Sequence, residues 1–111
     1  MQNLILKGKS GGGMSLKVSK EAAEWYKEEM SLKQGDFVQF YVQLYGGIPT
    51  VHPNYSLGVS IGKEGNIAIK EVVEGITFYF NEENSWFLDE FDMKVILEND
   101  ELEFIFNEKQ S

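Results

Sequence analysis

No cysteine occurs anywhere in the chain. There can therefore be no disulfide, no thiolate nucleophile and no thiolate-held metal or cluster. The single histidine, His52, limits imidazole chemistry to one residue. Gly58-Val59-Ser60-Ile61-Gly62 has the Gly-x-Ser-x-Gly spacing, but it falls in a strand pattern with no helix after it, and the lone histidine has no recognisable partner order, which argues against a serine hydrolase. Also missing is any apolar run near the roughly 20 residues that a membrane helix needs. Leu4-Ile5-Leu6 is too short for the core of a signal peptide, so a cytoplasmic location is the expectation. Without a secretory signal the sequon Asn54-Tyr55-Ser56 is a chance match. Basic residues are scarce as well, 10 against 18 acidic ones, for a formal charge of −8. Such a field repels phosphate backbones and anionic lipid, and neither nucleic acid nor a membrane is an expected partner.

What remains is a chain of 111 residues, enough to close a single core, with 14% aromatic side chains that favour strands. Met1–Gly13 reads as a flexible or vector-derived leader, because a short apolar patch runs into Lys7-Gly8-Lys9-Ser10 and three glycines. The domain is then expected over residues 14–111. Gly8-Lys9-Ser10 lacks the earlier glycine and the following helix of a phosphate-binding loop. Ser15–Val18 suits a short strand, and Ser19 is a good N-cap for a helix over Lys20–Leu32. Ala22, Ala23, Trp25, Tyr26 and Met30 share one stripe of that helix, and Gly35 suits its left-handed C-cap.

The cleanest strand is Phe37–Tyr45, where Val38, Phe40, Val42 and Leu44 alternate with Phe37, Gln39, Tyr41, Gln43 and Tyr45. Gly46-Gly47 ends it, either as a turn or as a place where a ligand or a second backbone comes close. Pro49, Pro53 and Asn54 predict an irregular stretch over Ile48–Tyr55. Further strands are expected at Leu57–Ile61, with small residues that let another layer approach, and at Asn66–Val73. Ile76–Phe80 is expected as a central strand, followed by strands at Met93–Leu97 and Leu102–Phe106, with turns at Glu74-Gly75 and Asn99-Asp100. Trp86-Phe87-Leu88 fits one or two helical turns packing aromatics inward.

Glu82, Glu83, Asp89, Glu90 and Asp92 lack the spacing of a calcium loop and read as a solvated acidic face. His52 has no second imidazole to join it as a metal ligand. No catalytic, cofactor-binding or metal residue is assigned, no cofactor is expected, and the chain is expected not to be an enzyme. The candidate interaction loop is Tyr45, Gly46, Gly47, Ile48, His52 and Tyr55, as tyrosine is enriched at protein contacts. Its alternatives are an unknown protein partner and a small ligand. The expected fold is α+β, mainly β, as two packed mixed sheets or a flattened barrel, with the N-terminal helix covering one opening.

Several phrases resemble the HesB-like family, the A-type (IscA-like) carriers of iron–sulfur cluster biosynthesis, over Leu16 to about Asn107. These are Val18-Ser19-Lys20-Glu21-Ala22-Ala23, Phe40–Gly47, Tyr55-Ser56-Leu57-Gly58, Gly75-Ile76-Thr77-Phe78 and Trp86-Phe87-Leu88-Asp89. The chain is most similar to the short, cysteine-free, YneR-like branch. The resemblance implies a HesB-like fold, a role assisting iron–sulfur biogenesis with assembly components as partners, and a homodimer. It also implies three cysteine ligands, yet Ile48 stands at the first position and Glu108-Lys109-Gln110-Ser111 runs where the others would begin. A chain without those thiolates is not expected to hold a cluster. The other reading is a protein-interaction or small-ligand module on the same scaffold.

Overall fold

The computed structural model describes residues 15–52 and 54–109. The leader expected over residues 1–13, the start at Met14 and the role given to Pro53 lie outside the described residues. Strand β1 (Leu16–Val18) leads into helix α1 (Lys20–Glu29), and the chain then forms β2 (Phe37–Gln43), β3 (Ile48–Pro49) and β4 (Ser56–Ile61). It continues through β5 (Ile67–Val73), β6 (Ile76–Asn81), a 3-10 turn at Ser85–Leu88, β7 (Phe91–Glu98) and β8 (Glu101–Glu108). Among the described residues no helix is long and apolar enough to cross a membrane.

The strands make two sheets, in the orders β3-β4-β2-β6-β5 and β1-β7-β8. Both are mixed, because β2 runs parallel to β6 and β1 parallel to β7 while the other neighbours are antiparallel. This is the expected mainly β architecture with one helix, and β1 also lies against β5, so one edge of each sheet meets the other. Ile76–Phe80 is interior as expected, but β2 rather than β6 holds the centre. Strand β2 pairs antiparallel with β4 on one side and parallel with β6 on the other, which places it in the middle of the five strands.

Alternation decides which side chains reach the core. Val38 and Phe40 from β2, Leu57 from β4, and Ile76, Phe78 and Phe80 from β6 are completely buried on one face of the larger sheet. The Phe40 ring lies 5.8 Å from Phe80, 6.3 Å from Phe78 and 6.1 Å from Phe104 of β8, so one residue ties the two sheets together. Ala22, Ala23 and Tyr26 press α1 onto the same core. The Ser19 hydroxyl accepts from Ala22 N at 3.1 Å and caps the helix start. The helix stops at Glu29 rather than at Leu32, since Ser31 takes a left-handed φ of 52° and Leu32 N donates to Lys27 O at 2.9 Å. That is a Schellman closure built on serine. Met30 is consequently exposed, and Gly35 serves the entry to β2, donating its N–H to Gly75 O at 2.8 Å.

Other expectations shift for local reasons. Phe87 and Leu88 point inward, but Trp86 is 45% exposed, because consecutive residues of a 3-10 turn face directions about 120° apart. Ile48–Tyr55 is not wholly irregular: Ile48 and Pro49 pair with Leu57 and Ser56 as an edge strand, where the donor missing from proline is tolerated. The small residue Gly58 admits no second layer. A Cβ there would lie 2.3 Å from the Tyr41 ring of the strand opposite, which lies over the glycine.

On its outer face the larger sheet is closed by polar ties. Tyr79, fully buried, donates its hydroxyl to Gly62 O at 2.9 Å and accepts from Glu64 N at 2.7 Å. Asn81 donates to Glu64 O at 3.3 Å and accepts from the Asn84 side chain at 2.8 Å, and Asn84 Oδ1 accepts from Val42 N at 3.0 Å. The 62–65 loop and the segment before the 3-10 turn are thereby fastened to the sheet.

Because β3 pairs with the far edge of β4, residues 44–47 must carry the chain across β4. At Gly47, with φ of 70°, a Cβ would sit 2.3 Å from Leu57 O, whereas at Gly46 nothing lies nearer than 3.9 Å. Gly47→Ala should therefore destabilise by about 2–4 kcal/mol and Gly46→Ala by only about 1 kcal/mol, measured by urea unfolding.

Burial pushes the Tyr26 phenol up from its ordinary 10.0, and its hydroxyl makes no hydrogen bond to any described residue. The folded state keeps its proton where the unfolded chain has lost it. Stability should thus be indifferent to this group below about pH 10 and fall by about 1.4 kcal/mol per pH unit above it. Tyr26→Phe should remove that alkaline slope at little cost at pH 7. Tyr79→Phe, which loses a doubly bonded hydroxyl, should cost about 1–2 kcal/mol at pH 7 in the same unfolding measurement.

Candidate functional site

The interaction loop proposed from sequence lies at one end of the larger sheet. Leaving β2, the chain exposes Leu44 (62%) and Tyr45 (86%) before Gly46 and Gly47 lay it over β4. The rigidity of the crossing holds these apolar side chains out in water. Ile48 turns the other way and packs against the core as part of β3.

The stretch after β3 folds on itself through one hydroxyl. Thr50 Oγ1 lies 2.9 Å from Tyr55 O and 3.2 Å from His52 O, and it accepts from His52 N at 3.0 Å. Asn54 N donates to His52 Nδ1 at 3.2 Å, and the imidazole packs on Tyr55 with ring centres 4.6 Å apart and the ring planes tilted by 59°. His52 is thus engaged as a local acceptor and packing surface. Val51, between these ties, is exposed.

Tyr55 continues the aromatic chain to Trp86 at 5.4 Å, edge to face, and Trp86 leads through Phe87 at 6.0 Å into the core. The structure therefore brings His52 and Tyr55 together and adds Trp86, leaves Tyr45 the most exposed of the predicted residues, and gives Gly46, Gly47 and Ile48 to the chain crossing. Trp86, Leu44 and Val51 were not among the residues picked from sequence. The one available signal for Trp86 was its setting between Glu82, Glu83, Asp89 and Glu90, all of them exposed.

Those acids are exposed, Glu82 accepting from Asn66 Nδ2 at 3.4 Å, while Asp92 pairs with Lys109 at 3.2 Å. Among the described residues no three His, Asp or Glu side chains gather as a metal site. What this end of the molecule offers is an apolar, aromatic surface with an acidic surround.

A scan against models of known protein families finds no match. A Bacillus subtilis protein named pyruvate dehydrogenase inhibitor is 36% identical over 93 residues, 84% of this chain and 97% of that protein. An uncharacterized protein of Staphylococcus saprophyticus is 30% identical over 80 residues, covering 69% of this chain and 81% of that one. The Bacillus match overturns the assignment to the HesB-like, A-type family and with it the role in iron–sulfur cluster biosynthesis and the assembly components as partners. The phrases behind that assignment are accounted for by the fold: the Ser19 cap, the glycine crossing, the glycine under Tyr41 and the turn at Gly75. At this identity and coverage the chain belongs to the family of the Bacillus subtilis pyruvate dehydrogenase inhibitor.

Proposed function

We propose that this chain is a non-catalytic, protein-binding inhibitor of pyruvate dehydrogenase that works by covering a surface of that enzyme. The observation that carries the reading is the 36% identity extending over 97% of the Bacillus subtilis pyruvate dehydrogenase inhibitor. The protein partner expected from sequence is, on this reading, that enzyme.

The contact surface is the end of the larger sheet that bears Tyr45, Leu44, Val51 and Trp86. Large aromatic side chains supply most of the energy of protein contacts, and Tyr45 and Trp86 already stand in water. Their backbone is held in advance by the Gly47 crossing, the Thr50 ties and the Asn84 link to Val42, so little ordering entropy remains to be lost on docking. Glu82, Glu83, Asp89 and Glu90 around Trp86, together with a net charge of −8, favour a partner surface that is apolar at its centre and basic around it.

Addition of the purified chain to pyruvate dehydrogenase of the same organism should lower its rate in a saturable way. Tyr45→Ala and Trp86→Ala should each weaken inhibition by about ten-fold or more, while Lys70→Ala on the remote strand β5 leaves it unchanged. Raising the salt concentration should slow association. Absence of inhibition and of complex formation at micromolar chain would refute the reading, as would full inhibition by the doubly substituted surface.

A further inference from the structure

The outer face of the larger sheet carries a polar hollow of about 570 Å³, with a smaller one adjoining it. Gln39 belongs to the lining of both. By register it stands on the outer face between Ser60 of β4 and Tyr79 of β6. It is only 5% exposed, yet its side-chain amide takes part in no hydrogen bond among the described residues. The neighbouring polar groups, Tyr79 and Asn81, are by contrast used up in fastening the loops. A buried amide without a partner is costly, and this one lines both hollows.

The lining of the larger hollow decides what that partner is. Glu64 and Glu83 bring two carboxylates, Tyr41 a ring whose position is set by its packing over Gly58, and Ser60 a hydroxyl. The one basic residue around either hollow, Lys63, has its ammonium turned to Gly65 O at 3.0 Å. The volume is that of a small-molecule site, too large for a bare ion. We propose that this hollow binds a small organic cation, an amine or guanidinium compound, whose charge meets Glu64, Glu83 and the Tyr41 ring while one N–H is accepted by the Gln39 amide. The hollow shares Glu83 with the acidic surround of Trp86 but includes neither Tyr45 nor Trp86 in its lining, and it does not depend on the inhibitor reading.

NMR titration of the full chain with putrescine and agmatine, and with 1,4-butanediol and succinate as neutral and anionic counterparts, tests it. Saturable shifts of Ser60, Gly65 and the Gln39 side-chain amide are expected with the two cations only. Gln39→Leu should weaken binding at least ten-fold, and Glu83→Gln, an exposed change that leaves the fold intact, at least three-fold. No saturable response at millimolar cation, an equal response to butanediol, or unchanged affinity in Glu83→Gln would overturn the proposal. Pyruvate dehydrogenase takes no part in the titration, so failure of this site and failure of the inhibitor reading are told apart.

Discussion

The register that pairs β2 with β4 on one side and β6 on the other is the constraint on which everything else rests. Val38 faces Ile61 and Phe78, Gln39 faces Ser60 and Tyr79, and Phe40 faces Val59. Every even residue of β2 therefore goes to the core and every odd one to the polar outer face. A slip of one residue would turn Gln39 and Tyr41 into the hydrocarbon core and move Phe40, the ring that joins the two sheets, to the polar outer face. Burying a phenylalanine is worth about 1.5–3 kcal/mol. The penalty for the wrong register is thus many times thermal energy, and the two faces are kept chemically distinct.

That separation divides the molecule into three regions with different chemistry. The inner face is hydrocarbon and serves stability. The outer face holds a hydrogen-bonded lattice through Tyr79, Asn81 and Asn84 that pins loops which would otherwise be free. The end of the sheet, where β2 gives way to the crossing, belongs to neither and carries Leu44, Tyr45 and Trp86 into solvent. Asn84 connects the last two regions, since the same residue bonds Asn81 and the end of β2 while Trp86 follows it in the 3-10 turn.

Much of the fold was legible because local chemistry and tertiary pairing agree. Ser19 caps the helix, Glu74-Gly75 turns β5 into β6, and Asn99 and Asp100 both take left-handed φ to close β7 on β8, as their residue types suggest. Where the two disagree, sequence reading fails. Serine is not a usual left-handed residue, so the helix end at Ser31 was invisible, and a two-residue edge strand containing proline offers no periodicity to detect. Trp86 was misplaced because hydrophobicity says that a tryptophan prefers burial but not that its two neighbours have taken the inward directions. A tyrosine-bearing loop stands out in the sequence as a candidate contact, but its chemistry names no partner. The partner proposed above rests on similarity over most of the chain rather than on any motif.

The order of the strands in space also bears on how the chain reaches its shape. β4 is made later than β3, yet it lies between β3 and β2. The glycine crossing spans a slot that is vacant until β4 arrives, and a nascent chain ending before Ser56 has nothing for Ile48 and Pro49 to pair with. Assembly of that end, the part that would meet a partner, must await insertion of a downstream segment. That end is accordingly among the last pieces to form and among the first to come apart when the chain is truncated or strained.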